Sequence, residues 1–325
     1  MDENTLNITP EGIESCMPEK KVLTTTTTFD TKNYLNVRLD VDKGEFSKEL
    51  RIRILPVDAT HNKPVTIIKM HSVKVPTEVS PSGFKSYTCV EKSNGIDHSK
   101  HGDKCPFCEE SRRLYEESKK TSDTQQAKEL RKASTSLFPQ EVAIIRCIER
   151  GKEDEGVKFW KVNLRGDRQD PWNQIFSIYK TREKDSIEDA KIENGGVVPE
   201  GFEPMNILDL YKGKDLKVLI EAKMQEGKPT NKTSVKVIDC GNPMPLTKDK
   251  ETFEKWVKDP KIWSDVFTIK PYDYLSVILD GGIPWFDRTS NMWVKKSDYT
   301  EVKERAIKEV EEQYKSAMSE DDKPF

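Results

Sequence analysis

The sequence predicts a mainly β fold with inserted helices (α+β), in which short antiparallel strands close into a small barrel. Three observations support this fold class. Apolar and polar residues alternate with a period of two in several short segments, as expected for half-buried strands. Helical segments occur but do not alternate regularly with the strands, which argues against a parallel sheet. A cysteine-rich stretch between residues 71 and 108 interrupts the strands and predicts an embedded subdomain.

The chain begins with an arm and continues into strands. Residues 1–28 end in a run of threonines, and we expect a flexible arm there. Strand alternation is clear in the segment LRIRIL, where the aliphatic side chains fall on one face and Arg51 and Arg53 on the other. The next predicted strand, VTIIKMH, ends at His71.

Helices and hairpins follow the cysteine-rich stretch. The segments EESRRLYEESKK and QQAKELRKAS consist mainly of strong helix formers, with no Gly or Pro before Pro139. A hairpin is predicted for EVAIIRCIE and VKFWKVNL, and a second for DLKVLIEA and TSVKVIDC. Between them, Pro171 is placed as the first residue of a helix. Short antiparallel strands with inserted helices favour an oligonucleotide-binding (OB) barrel.

These patterns divide the chain into four parts. The barrel core spans 29–245 and contains the cysteine-rich subdomain at about 71–135. Residues 246–318 predict a helical extension whose last helix carries an apolar stripe. The stripe consists of Val302, Ala306, Val310 and Tyr314. Residues 319–325, with the sequence SEDDKPF, form an acidic tip.

Charge and cysteine content limit the classes of function. The net charge is −3; residues 1–21 and 301–325 each carry −3, so the body between them carries +3. A mildly basic body between acidic ends is compatible with nucleic-acid binding. No run is long enough to span a membrane, and the acidic start lacks the features of a signal peptide. We therefore expect a cytosolic chain with Cys16, Cys147 and Cys240 as free thiols.

The cysteine-rich stretch has the spacing of a metal site. Cys105 and Cys108 form a CxxC knuckle, and Cys89 supplies a third sulfur. The candidates for a fourth ligand are His71, His98 and His101. His71 is favoured because it ends a strand that would hold the imidazole rigidly, whereas the other two lie in a polar loop. Three thiolates and one imidazole suit one tetrahedral, structural Zn²⁺.

No enzyme motif accompanies this site. Zinc nucleobase deaminases combine H-x-E with P-C-x-x-C, but here serine and valine follow His71, and a lysine precedes Cys105. Cys89 also fills the position where a catalytic zinc ion would keep a water molecule. The chain shows no Ser/His/Asp set, phosphate-binding glycine loop or paired-carboxylate motif. We therefore predict that it is not an enzyme.

The assembled motifs resemble the T-even bacteriophage type of single-stranded DNA-binding (helix-destabilising) protein, from about residue 34 to residue 280. The shared segments include RILP, YTC, HGDKCPFC, LRKAST, EGVKFWKV and PMNILDLYKGKDLKVLI. The resemblance implies an OB barrel with an embedded zinc subdomain, whose cleft holds the DNA strand. It also implies the zinc ligands His71, Cys89, Cys105 and Cys108.

The resemblance further implies DNA-binding residues. Such a cleft needs Lys and Arg side chains to bind phosphates and aromatic side chains to stack on nucleobases. Tyr115 corresponds to a stacking tyrosine, and the phosphate-contacting motif corresponds to Arg131, Lys132, Ser134 and Thr135. The alternatives are a tyrosine that packs on the zinc loop and a solvated helix face. Weaker candidates are Arg51, Arg53, Lys158, Trp160 and Lys161. Alternation places Lys158 and Trp160 on one face of their strand, opposite Phe159 and Lys161, so only one pair can line the cleft.

Three regions of the chain differ from this family: the N-terminus, one hairpin loop and the C-terminus. The family's basic N-terminal motif for cooperative binding is missing, and the hairpin loop QEGKPTNKTS lacks the family's aromatic residues. The C-terminus is instead similar to the acidic tip of bacterial single-stranded DNA-binding proteins. Partner recruitment is expected there, with a solubilising tail as the alternative. The residues concerned are Asp321, Asp322, Pro324 and Phe325.

Together these features predict a sequence-independent single-stranded DNA-binding protein that coats DNA in phage replication, recombination and repair. Through the tip it would recruit replication and recombination enzymes. The resemblance places it in the cytoplasm of an infected bacterium, without membrane contact; self-association on DNA and a preference for DNA over RNA stay open. The alternative is a zinc-ribbon module that binds a replication or transcription protein without binding DNA itself.

Overall fold

A computed structural model describes residues 31–56, 65–164 and 170–298. The strands are β1 (Ser47–Ile54), β2 (Val65–Lys74), β3 (Phe84–Thr88), β4 (Gln140–Glu149), β5 (Val157–Asn163), β6 (Asp215–Gln225), β7 (Lys228–Cys240), β8 (Pro284–Asp287) and β9 (Met292–Lys295). The helices are α1 (His98–His101), α2 (Pro106–Lys120), α3 (Thr124–Ser136), α4 (Pro171–Glu193), α5 (Lys250–Val257), α6 (Trp263–Val266) and α7 (Tyr272–Leu279). The predicted arm, the last predicted helix and the acidic tip lie outside the described residues.

Seven strands form one antiparallel sheet in the order β3-β2-β4-β1-β6-β7, with β5 paired to the other side of β4. Strand β4 is central because its first half pairs with β2, its second half with β1, and β5 runs along its opposite edge. The hairpins β4–β5 and β6–β7 are those that the sequence predicts.

The sheet is open, which differs from the predicted closed barrel. No pairing among the described strands joins β5 or β3 to β7. Two outward backbone groups of β7 are satisfied by a helix instead. The side-chain amide of Gln174 in α4 accepts from the N–H of Val237 (2.7 Å) and donates to the carbonyl of Val235 (3.1 Å). This covers an edge strand without adding another strand to it.

Both faces of the sheet are buried, each against its own core. The first core contains Ile52 and Trp160 and is covered by α4 through Ile175. The second core contains Phe159 and is covered by Trp256 of α5, together with α6. Neighbouring residues of β5 therefore enter different cores, as strand alternation requires. Residues 246–269, predicted as part of an extension, cover the second face of the sheet and complete this core.

The predicted helices after the cysteine-rich stretch are confirmed as the antiparallel pair α2 and α3. Helix α2 has Pro106 at its first position, where a missing N–H costs nothing. Helix α3 is capped by Asp123, whose carboxylate accepts from the N–H groups of Gln125 and Gln126. We call this pair the helical hairpin.

The rest of the C-terminal extension contains a helix and a β-hairpin. Helix α7 contributes Leu275 and Ile278 to a third core, which also contains the cysteines of the predicted metal site. Strands β8 and β9 pair beside α7, and the N–H of Trp293 donates to Asp273 of that helix (2.6 Å). The β-hairpin was not predicted from sequence. None of the helices in the described ranges has the length and apolar character to cross a bilayer.

Candidate metal centre and nucleic-acid interface

Four buried residues from three elements form a candidate metal centre. His71 lies near the end of β2, Cys89 follows β3, and Cys105 and Cys108 lie at the start of α2. One ligand atom from each lies within 4.8 Å of every other. The alternative histidines, His98 and His101, lie on α1 outside this group. The geometry therefore brings together the four residues that the sequence favoured, in an arrangement compatible with one metal ion.

The spacing of the four ligand atoms suits a single tetrahedral ion. The Sγ atoms of Cys89 and Cys108 are 3.5 Å apart, and Nε2 of His71 lies 3.2 Å from Sγ of Cys105 and 3.7 Å from Sγ of Cys108. Metal–ligand bonds of about 2.3 Å to sulfur and about 2.0 Å to nitrogen give separations of roughly 3.5–3.8 Å around a tetrahedron. The cluster can thus hold one metal ion with little movement.

A hydrogen bond to the end of the helical hairpin orients the imidazole. Nδ1 of His71 lies 2.6 Å from the carbonyl oxygen of Leu137, the residue that follows α3. Because a carbonyl only accepts, the ring carries its proton on Nδ1 and leaves Nε2 free as a ligand. The metal centre therefore contacts both the start of α2 and the end of α3.

The start of α2 also favours the thiolate form of Cys105. Hydrogen bonds from Cys108 and Cys89, together with backbone N–H groups at the helix N-terminus, lower the pKa of Cys105 to about 4. The same contacts and burial raise the pKa of Cys89, because one negative sulfur disfavours a second beside it. A bound cation would relieve this repulsion, so the donor set favours a metal ion.

Among the predicted DNA-binding residues, Tyr115, Arg131, Lys132 and Thr135 are exposed on the helical hairpin. The ring of Tyr115 is 47% exposed, and Nζ of Lys119 lies 4.3 Å from its centroid. Arg131 is close enough to lower the pKa of Lys119, although Glu116 raises it more. Within the described residues no carboxylate pairs with Arg131 or Lys132. The hairpin thus exposes one aromatic ring and two cations that are not paired with a carboxylate in that part of the chain.

Ser134, predicted to contact phosphate, faces the interior of the hairpin instead. Its hydroxyl donates to the carbonyl of Ser111 (2.8 Å), and the hydroxyl of Ser111 donates to the carbonyl of Ser134 (3.0 Å). The reason is helical periodicity, which turns the side chain of Ser134 towards α2 while Thr135 points to solvent. This pair of serines joins the two helices.

We expect Ser134→Ala to lower the free energy of unfolding by about 1 kcal/mol, because one buried hydrogen bond is lost. Its affinity for single-stranded DNA should be unchanged. Thr135→Ala is the matched comparison, and its stability should change by less than about 0.5 kcal/mol. Chemical denaturation and oligonucleotide titration measure both quantities. A loss of affinity in Ser134→Ala at unchanged stability would contradict the structural role.

The strand residues predicted to line a cleft are mostly buried. Trp160 belongs to the first core and is 1% exposed. Lys158 is 2% exposed and forms ion pairs with Glu149 and Glu155. Burial would lower the pKa of Lys158, but these carboxylates outweigh it and raise the pKa. Neither side chain presents a surface to a DNA strand.

The two arginines of β1 are engaged by one buried carboxylate. Arg53 is 1% exposed and lies 3.5 Å from the carboxylate of Asp215, and its guanidinium donates to the carbonyls of Asp209 and Met244. Arg51 is 44% exposed, and its Nε lies 2.8 Å from the same carboxylate. These arginines hold β1 to its neighbours, so the prediction of a DNA-binding role for Arg53 conflicts with its burial.

Lys161, a weak candidate in the sequence, lies near the positive charge of Arg38. Burial and the nearby charge of Arg38 lower its pKa. No carboxylate in the described part of the chain pairs with either side chain. Arg38 lies in the segment that runs beside β5, where the N–H of Leu35 donates to the carbonyl of Phe159 (3.2 Å). Sequence alone gave no signal for Arg38, because this contact depends on the fold.

The four residues of the predicted tip, Asp321, Asp322, Pro324 and Phe325, lie outside the described residues. A scan of protein-family models finds none that matches this chain, and a search of curated proteins finds no match either.

Proposed function

We propose that this protein is a non-catalytic, sequence-independent single-stranded DNA-binding protein that coats DNA during phage replication, recombination and repair. The observation that carries the proposal is the helical hairpin, which exposes Tyr115, Arg131 and Lys132 and is anchored at both ends on the candidate metal centre. The scaffold would be an opened relative of the OB barrel. The acidic tip would recruit replication and recombination enzymes in the cytoplasm of an infected bacterium.

We further propose that the metal is one structural Zn²⁺. Thiolate-rich sites favour zinc among the common divalent ions, and Zn²⁺ accepts four tetrahedral sulfur and nitrogen ligands. All four ligand positions are filled by protein side chains, which leaves no position for a reacting water. The ion would fix the helical hairpin rather than take part in catalysis.

The surface of the hairpin suits a single strand for two physical reasons. Each nucleotide has one negative phosphate, and Arg131 and Lys132 offer cations that no carboxylate in the described ranges neutralises. Unpaired nucleobases expose flat apolar faces, and Tyr115 offers an exposed ring on which any base can stack. Neither contact reads the base edges, so binding would tolerate any sequence.

Titration with oligo-dT and with duplex DNA at several salt concentrations tests the proposal. Wild type should bind oligo-dT, with an affinity that falls as salt rises by about 0.7 logarithmic units per phosphate contact. The variant R131Q/K132Q should lower that slope by about 1.4. Tyr115→Leu should weaken binding by about 1–3 kcal/mol at every salt concentration, because a stacking contact is lost.

Arg113→Gln is the matched control, because Arg113 is exposed on α2 but already paired with Glu110 and Glu117. Its slope and affinity should equal those of wild type. If wild type binds neither oligo-dT nor duplex, the proposal is wrong, and a zinc-containing module that binds a replication or transcription protein becomes the better interpretation.

A further inference from the structure

A pair of lysines lies over aromatic rings where the C-terminal extension meets the metal-binding subdomain. Nζ of Lys85, on β3, is 5.9 Å from the ring centroid of Tyr87, and Nζ of Lys270, just before α7, is 5.1 Å from that of Tyr274. The two rings contact each other edge to face, with centroids 6.0 Å apart. Residues that are 185 positions apart in the chain thus bring two ammonium groups together.

These two cations lack a counter-charge. No carboxylate within the described ranges forms an ion pair with Lys85 or Lys270. Burial and the nearby charge of Lys85 lower the pKa of Lys270. Lys85 is exposed and Lys270 is half-buried, and an anion that binds between them would offset the repulsion of the two like charges. The arrangement is therefore suited to an anionic ligand.

Aromatic side chains continue from the lysine pair to the surface. Tyr274 contacts Trp293 of β9 (centroids 4.9 Å apart), and Trp293 contacts Phe286 of β8 (5.3 Å). Phe286 is 39% exposed, and the neighbouring Trp285 is 43% exposed. Successive ring contacts through Trp293 and Tyr274 therefore connect the exposed ring of Phe286 to Lys270. We call Lys85, Lys270, Phe286 and the rings between them the extension patch.

We propose that the extension patch is a second nucleotide-binding site, in which Lys85 and Lys270 bind backbone phosphate and Phe286 stacks on a base. This inference rests on the proposed function and extends it, because it assigns DNA contacts to the segment that follows the sheet. Two uncompensated cations that are connected to an exposed ring through packed aromatic side chains fit a polyanion with flat apolar bases. An acidic peptide would use the cations but would need no stacking ring.

The position of the patch relative to the helical hairpin supports one strand that crosses both. The hydroxyl of Tyr272, at the start of α7, donates to the carboxylate of Glu109 in α2 (2.5 Å). Lys270 lies two residues before Tyr272. Glu109 lies six residues before Tyr115, which is about 9 Å along the helix axis. A strand stacked on Tyr115 would therefore reach the patch within a few nucleotides.

The experiment compares wild type with K85Q/K270Q on oligo-dT of about 4 and about 16 nucleotides, which span the range of site sizes for one OB fold. With the long oligomer, the slope of log affinity against log salt should be smaller by about 1.4 in the variant than in wild type. The variant should bind this oligomer about 10- to 30-fold more weakly at 0.1 M salt. On the short oligomer, which the helical hairpin alone can hold, the change should be less than about 3-fold. Phe286→Ala should also weaken only the binding of the long oligomer.

The charge-matched control is K74Q/K255Q, which removes two exposed lysines outside the patch. Lys74 lies on β2, next to β3, and pairs with Phe84, the residue before Lys85. Because neighbouring residues of a strand point to opposite faces, Lys74 lies on the other face of the sheet from Lys85. Metal content and thermal unfolding should be equal in all variants. If wild type binds the long oligomer and K85Q/K270Q binds it equally well, the patch is not a DNA site although the proposed function stands. If wild type binds neither oligomer, both proposals are overturned.

Discussion

Cys105→Ser is expected to abolish metal binding and to unfold the metal-binding subdomain, including β3, while the remaining strands of the sheet stay folded. Structural zinc contributes about 10–16 kcal/mol of apparent binding free energy in small zinc domains. In this chain the ion would join β2, the residue after β3 and the start of α2, and His71 extends the link to Leu137 at the end of α3. Loss of the ion therefore removes the attachment of the helical hairpin at both ends.

The loss should be confined to one part of the molecule, because the three cores differ in their dependence on the metal. The third core contains the three cysteine ligands and packs on α7, whereas the first and second cores lie on the faces of the sheet. Hydrogen exchange measured by mass spectrometry should show lost protection in 71–135 and 271–298. Protection of β1 and β6 should be kept. DNA affinity should also fall, because the helical hairpin that carries Tyr115 is no longer held in place.

Cys240→Ser is the control, because Cys240 is a partly exposed free thiol at the end of β7. It should keep one metal ion per chain and the exchange pattern of wild type. Chelation of the wild-type metal should reproduce the exchange pattern of Cys105→Ser. Uniform loss of protection across the sheet would show instead that the metal supports the whole fold.

The metal centre could be predicted from sequence because its constraints are local. A CxxC at the start of a helix fixes two sulfurs, and a strand that contains His71 near its end fixes the imidazole. The strands and helices were also recognisable, since their periods are short. Whether the sheet closes into a barrel could not be predicted from the sequence, because it depends on which element covers β7. A helical glutamine, Gln174, satisfies that edge, and composition gives no signal for such a contact.

The residues that the sequence assigned to DNA binding divide in the same way. Alternation correctly separated Trp160 from Phe159 in β5, but it cannot show that both faces of a strand are buried. Lys158 therefore looked like a groove residue although it is a core residue neutralised by carboxylates. Lys85 and Lys270 show the reverse case, because neither was predicted from the sequence to bind DNA. They become a candidate site only because α7 packs beside β3.

Asp215→Asn is expected to lower the free energy of unfolding by about 3–5 kcal/mol, because it leaves the buried guanidinium group of Arg53 and the neighbouring Arg150 and Arg51 without their shared counter-charge. The Asp215 side chain is 1% exposed, and its carboxylate lies 2.8 Å from Arg51, 3.5 Å from Arg53 and 2.9 Å from Arg150. Burial lowers the pKa of Arg53, and Asp215 opposes this shift. The amide keeps the size of the side chain and removes only its charge. Urea denaturation measures the loss.

Asp239→Asn is the control at a more exposed position, where the carboxylate pairs with Arg182 and Lys214. Its cost should be about 1 kcal/mol or less, because solvent screens such pairs. The comparison also decides the role of the β1 arginines. If they hold the sheet together, Asp215→Asn should lower stability and leave the affinity of the folded protein for oligo-dT unchanged. If stability is kept while affinity rises, Asp215 instead restrains Arg51 and Arg53 from binding phosphate, and the sequence-based assignment of both to the DNA interface would be correct.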